Sequence, residues 1–167
     1  MVDYCKDKPE LDVRAGDGIK HLSGLEDNSL GGVIATQVIE HLPYEVLKEL
    51  VSQAAKKVKP GGLVIFETIN PNSMVALTQH YFRDPTHVAP LHPDTMKFMF
   101  DGTGGYSELE IKELEPFSEA ALMSELDVEA HMTPRWAHSV QKLNQNFDKL
   151  NKLLFGHQDY AIIARVN

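Results

Sequence analysis

Val58-Lys59-Pro60-Gly61-Gly62-Leu63-Val64-Ile65-Phe66-Glu67-Thr68 decides the fold of this chain. Ahead of it, Val46, Leu47, Leu50, Val51, Ala54, Ala55 and Val58 recur at helical spacing and mark one apolar face. Pro60-Gly61-Gly62 ends that helix, because proline cannot continue it and glycine accepts turn geometry. Leu63 to Thr68 is the strongest strand pattern, and Asn70-Pro71-Asn72 breaks it. Upstream, Gly32-Val33-Ile34-Ala35-Thr36 is a short apolar run of buried-strand type. Strand, helix, strand in this rhythm predicts a βαβ unit, with a parallel pair and a right-handed crossover.

The flanks extend the pattern. Leu11 to Ala15 reads as a weak first strand, ended by Gly16-Asp17-Gly18. Ile19 to Leu25 is helical, and Glu26-Asp27-Asn28-Ser29 is turn-like. Downstream, Asn72 to Tyr81 is helical in character, and Arg83 to Pro93 is an ordered, proline-rich loop. Asp94 to Phe100 predicts a short helix, Glu108 to Leu114 a polar edge strand, and Tyr160 to Val166 a last strand. Residues 115–134 show no firm period. Trp136, Val140, Leu143, Phe147, Leu150 and Leu154 form a second helical stripe, expected to be core or an oligomer surface. Residues 1–167 read as one domain.

Composition removes several classes. The chain has 167 residues, 43% hydrophobic and 24% charged, which excludes a disordered chain or a fibre. No apolar run approaches the ~20 residues of a membrane span. The N-terminus has no apolar stretch behind its charges, so no signal peptide is expected. The single cysteine, Cys5, excludes an internal disulfide and suits a reducing, cytoplasmic setting. A net charge of −8 with no long basic run makes nucleic acid an unexpected partner.

Three stretches together resemble class I S-adenosylmethionine-dependent methyltransferases: Gly16-Asp17-Gly18, Gln37-Val38-Ile39-Glu40-His41-Leu42, and Val58-Lys59-Pro60-Gly61-Gly62-Leu63-Val64-Ile65. Asp84-Pro85-Thr86-His87-Val88-Ala89-Pro90-Leu91-His92-Pro93 and Leu154-Phe155-Gly156-His157-Gln158-Asp159-Tyr160-Ala161 resemble a narrower branch, similar to O-antigen and polysaccharide methyltransferases. The resemblance implies an α/β fold with a Rossmann-like, mostly parallel sheet flanked by helices. It implies methyl transfer to a hydroxyl of a glycan or small acceptor. A non-catalytic scaffold with the same fold is the alternative.

The resemblance also assigns residues. Asp17 and Gly18 would meet the adenine of S-adenosylmethionine; an ordinary Asp-Gly turn is the other reading. Gln37, Val38 and Ile39 would line the cofactor crevice at a strand's carboxyl end. His87, with His41 next, would take the acceptor's proton, and Asp84 would orient the base. The plain reading of Glu40 and His41 is helix entry, with Glu40 favouring the helix's positive end. The plain reading of the loop is proline-fixed backbone with hydrogen-bonded histidines. Glu67 and Asn70 face the crevice or cap a strand. His87, His92 and Asp84 have a spacing a metal could use; with no cysteine or second compact cluster, no metal site is expected.

The resemblance starts just before the family's third strand. Strands three to seven are expected, and strands one and two, with the Gly-rich loop and ribose-binding acid, have no counterpart. Two or three lost charge-assisted hydrogen bonds, at ~1.5–3 kcal/mol each, predict weak or absent cofactor binding by this truncated chain alone. The sheet edge left bare is expected either to be paired directly by Leu11 to Ala15 moving against Val33 to Thr36, or to be covered by another chain, as in a homodimer.

Overall fold

The structure, a computed structural model, describes residues 13–167. Asp17 caps the first helix, α1 (Gly18–Ser23), by accepting from the Ile19 and Lys20 N–H groups at 3.0 and 3.1 Å. Strand β1 (Leu30–Thr36) follows, then a 3-10 turn over Ile39–His41, helix α2 (Tyr44–Lys57) and strand β2 (Val58–Ile69). β1 and β2 pair in parallel, with Thr36 opposite Glu67, so the predicted βαβ unit is present. Next come α3 (Met74–Gln79), a 3-10 turn at Tyr81–Arg83, α4 (Pro93–Thr103), β3 (Tyr106–Leu114), a 3-10 turn at Glu119–Ala121, α5 (Pro134–Leu154) and β4 (Asp159–Val166).

The sheet order is β1-β2-β4-β3. β4 runs antiparallel to both of its neighbours, so the sheet of the expected α/β fold is mixed. The weak strand expected over Leu11 to Ala15 lies partly outside the described residues; 13–15 are not in a strand. No helix among the described residues is long and apolar enough to cross a membrane.

β2 starts earlier than its sequence indicates and runs through Pro60-Gly61-Gly62. Gly61 takes a φ of +81°, and the register with β1 shifts between Leu30 and Gly32. The two backbones come close here. A Cβ on Gly62 would fall 2.6 Å from the Gly31 carbonyl oxygen, and one on Gly32 would fall 2.7 Å from that of Leu63.

The core lies between the sheet and helices α2 and α4. Val64, Phe66, Ile162 and Ala164 from the sheet meet Leu47, Val51, Ala54, Met96 and Phe100. Phe66 and Phe100 pack edge-on at 5.6 Å. Lys57 is buried at the end of α2, where its Nζ donates to the Leu25 carbonyl and to Asp27, each at 2.7 Å. That bond ties the α1–β1 connection down and holds the Asp27 carboxyl below its usual range.

The α5 stripe is not core. Val140 is buried, but Trp136 is 67% exposed, and Leu143 and Leu150 are also exposed. The aperiodic stretch before α5 is held by amides instead. Asn151 exchanges two hydrogen bonds with the Met123 backbone and Asn144 two with Leu126, at 2.8–2.9 Å.

Candidate active site

Two features meet at the carboxyl end of β1, where open α/β sheets bind ligands. One is a groove of about 560 Å³ along the β1 edge, lined by Asp17, Gly18, Leu25, Ile34 and Val38 among others. The other is a cluster of side chains joining the 39–41 turn to the loop after α3.

The groove tests the expected cofactor residues one by one. Asp17 and Gly18 line it. The Asp17 cap uses Oδ1 alone, and nothing lies within 4 Å of where a Gly18 Cβ would be. A carboxylate oxygen at the mouth of an apolar slot suits an adenine, with its amino donor and flat apolar faces. So the turn reading and the binding reading of Asp17 are compatible. Val38 also lines the groove. Ile39 is fully buried in the core, leaving only its backbone for a ligand. Gln37 is turned away: it has a φ of +51°, and its Nε2 donates to Asp159 Oδ1 at 3.0 Å.

The cluster brings together all three expected catalytic residues. The His41 and His87 rings have centroids 4.6 Å apart. Asp84 joins through Thr86: Thr86 Oγ1 donates to Asp84 Oδ1 at 2.7 Å and lies 2.9 Å from His41 Nδ1. Since that hydroxyl proton is committed to Asp84, Oγ1 accepts from His41 Nδ1–H. The two Thr86 bonds, side chain and then backbone, hold the Asp84 carboxyl below its usual range, with smaller help from His87 and His41. His87 Nδ1 lies 2.6 Å from the Tyr81 carbonyl, which can only accept, so His87 also carries its proton on Nδ1. Both histidines therefore offer an Nε2 lone pair.

Backbone contacts fix this arrangement. Val88 N–H donates to the Glu40 carbonyl at 2.8 Å, which docks the loop on the turn. Tyr160 Oη donates to the Leu91 carbonyl at 2.8 Å and pins the loop's far end to β4. The His87 ring stacks on Tyr81 at 4.7 Å.

Several residues outside the sequence expectation take part. Glu40 is not an exposed charge at a helix start. It is 1% exposed, accepts from Thr68 Oγ1 at 2.8 Å, and its Oε1 has no hydrogen-bond partner among the described residues. Thr86 and Tyr81 carried no sequence signal. His92 does not join the cluster; its Nδ1 accepts from Asp94 N–H at 3.2 Å and caps α4. Asn70 is buried and structural, donating to the His157 carbonyl and accepting from Asn72 N–H.

Comparison with known proteins agrees with this fold. A family profile described as a methyltransferase domain matches residues 7–105, more than half of the chain. No curated protein matches the chain. A SAM-dependent methyltransferase from Archaeoglobus fulgidus is 35% identical with a TM-score of 0.87, covering 99% of this chain and 71% of its own. A Haloferax volcanii protein solved with the Trm112 methyltransferase activator is 13% identical with a TM-score of 0.58, covering 99% and 66%. Phosphoethanolamine N-methyltransferase 2 of Haemonchus contortus, solved with S-adenosyl-L-methionine, is 14% identical with a TM-score of 0.50, covering 84% and 34%. At such identities the last two share the fold alone. On the family profile and the Archaeoglobus relative together, the chain belongs to the S-adenosylmethionine-dependent methyltransferases.

Proposed function

We propose that this chain catalyses methyl transfer from S-adenosylmethionine to a hydroxyl of a glycan or other small acceptor, in polysaccharide modification. The observation that carries this reading is the convergence of His41, His87 and Asp84 on the turn after β1, whose flanking residues Val38 and Leu42 line the groove. S-adenosylmethionine, when bound, supplies an electrophilic methyl group for in-line displacement. Asp17 and Gly18 receive its nucleoside end, with the groove's apolar walls excluding water.

His87 accepts the hydroxyl proton at Nε2, while its Nδ1–H stays on the Tyr81 carbonyl. The resulting imidazolium is stabilised by Asp84 nearby. His41 is the second base, oriented through Thr86. Such a base contributes roughly 10²–10⁴-fold. His80, Arg83 and Asp84 line a surface pocket of about 410 Å³ whose charged and hydrogen-bonding groups suit a polyhydroxylated acceptor.

A homodimer belongs to this reading: Ile34 on the β1 edge is 69% exposed, and β1 pairs only with β2 among the described residues. A cytoplasmic setting rests on the lone cysteine. The test is turnover of His87→Ala and His41→Ala on a defined glycan at saturating cofactor. A fall of about 100-fold for His87→Ala and less for His41→Ala is expected; wild-type turnover in both overturns the assignment.

A further inference from the structure

The Glu40 carboxylate raises a separate question. A buried carboxylate oxygen without a hydrogen bond is costly, and such orphans in native structures call for an explanation. Thr68 satisfies only Oε2. Oε1 has no hydrogen-bond partner among the described residues, and the Glu40 carboxylate lies close to two imidazoles. One ligand atom from each of Glu40, His41 and His87 can be chosen so that all three lie within 4.8 Å of one another. Neutral imidazoles offer Glu40 no proton, because both Nδ1–H groups are already committed: His41 to Thr86 and His87 to Tyr81. What the three present together is one carboxylate oxygen and two nitrogen lone pairs.

We propose that Glu40, His41 and His87 form a binding site for a divalent first-row transition ion. Two imidazoles with one carboxylate suit zinc, cobalt or iron(II) better than calcium or magnesium, which take oxygen ligands. A tetrahedral ion with bonds of about 2.0 Å holds its ligand atoms roughly 3.3 Å apart, so side-chain rotations close the set. The outer contacts have the form such sites use. Each histidine donates its other ring N–H to an oxygen, and the carboxylate is itself hydrogen-bonded by Thr68. Glu40 is buried while both histidines are half-buried, which leaves coordination positions open towards solvent.

The site goes beyond the methyl-transfer reading but shares His87 with it: an ion on His87 Nε2 takes the lone pair that the base role needs, so ion binding and proton transfer exclude each other, and the ion is tested with neither cofactor nor acceptor present. Cobalt(II) titration of the metal-free full chain, followed by visible absorption, tests it. The expected result is saturation at one ion per chain, displacement by zinc, and binding at least about tenfold weaker in both His87→Ala and Glu40→Gln. Glu40→Gln keeps the shape and the Thr68 contact; if that variant fails to fold, His87→Ala decides alone. His131→Ala, beside exposed Glu129, is the control and is expected to leave binding unchanged. Absence of saturable binding, or binding that persists undiminished in His87→Ala, overturns the proposal. Methyl transfer by metal-free chain would leave the preceding reading standing in either case.

Discussion

Val88 donates its backbone N–H to the Glu40 carbonyl over 2.8 Å. This bond joins the proline-rich loop to the turn that ends β1, and so sets His87 beside His41. The functional groups come from two segments far apart in sequence, and rigid backbone contacts align them. Such alignment is what a methyl transferase needs, because the cofactor carries the reactivity and the protein supplies geometry.

Thr86→Val should weaken the cluster without removing a titrating group. His41 loses its Nδ1–H acceptor and Asp84 loses its strongest hydrogen bond. Loss of the His41 orientation should lower kcat by up to roughly tenfold. Asp84 should then titrate closer to the usual carboxylate range, which NMR titration of its side chain would register. In the wild type the lowered value adds stability above that range, and the contribution disappears as pH falls through it.

Asp17→Ser separates the two roles of Asp17. Serine caps a helix about as well as aspartate, so the unfolding midpoint should move little. Nucleoside binding loses its carboxylate and should weaken about tenfold. Calorimetry with S-adenosylhomocysteine beside thermal unfolding would show both.

Asp159→Asn tests the half-buried acid at the start of β4. Burial raises the Asp159 carboxyl, opposed by the Gln37 hydrogen bond. The folded chain therefore binds this proton more tightly than the unfolded one, and stability falls as pH rises through the raised value. Asparagine can still accept from Gln37. At neutral pH the variant should be more stable by less than ~1 kcal/mol after solvent screening, with the gain vanishing at low pH. Urea unfolding at pH 7 and pH 3 would measure it.

Much of the fold was legible in the sequence because its signals are local. The α2 stripe from Leu47 to Ala54 and the apolar run through Val64 and Phe66 occur where expected. The passage of β2 through Pro60-Gly61-Gly62 was not legible, because glycine and proline ordinarily end elements; here they form the bulge between Val58 and Leu63, the two β2 residues that pair with β1 on either side. Asp84 and His87 were legible as neighbours in one loop with His92; the meeting of that loop with His41 was not, because it depends on the Val88 to Glu40 backbone bond between distant segments. Glu40 was legible as an acid at a helix start beside the crevice, but its burial was not, because that follows from Thr68 and the docked loop, which are contacts between distant segments. For the α5 stripe only the core half of the reading fails: periodicity identifies an apolar face and says nothing of what covers it.

Gly62→Ala and Gly31→Ala test the β1–β2 approach as a pair. A Cβ on Gly62 meets the Gly31 and Lys59 carbonyls at 2.6 and 2.9 Å, whereas one on Gly31 meets nothing within 4 Å. Gly62→Ala should cost about 1–3 kcal/mol by overpacking, and Gly31→Ala within about 0.5 kcal/mol of nothing. Chemical denaturation of both would check the contrast.

The proposed reaction moves a methyl group from S-adenosylmethionine to a hydroxyl oxygen. Trideuteromethyl-labelled S-adenosylmethionine at saturating concentration, supplied with a panel of defined glycans, tests it when the label is located by mass spectrometry and NMR. The wild type should form an O-linked trideuteromethyl group, and His87→Ala about 100-fold less. No label on any glycan, or label found only on nitrogen, would rule the reaction out.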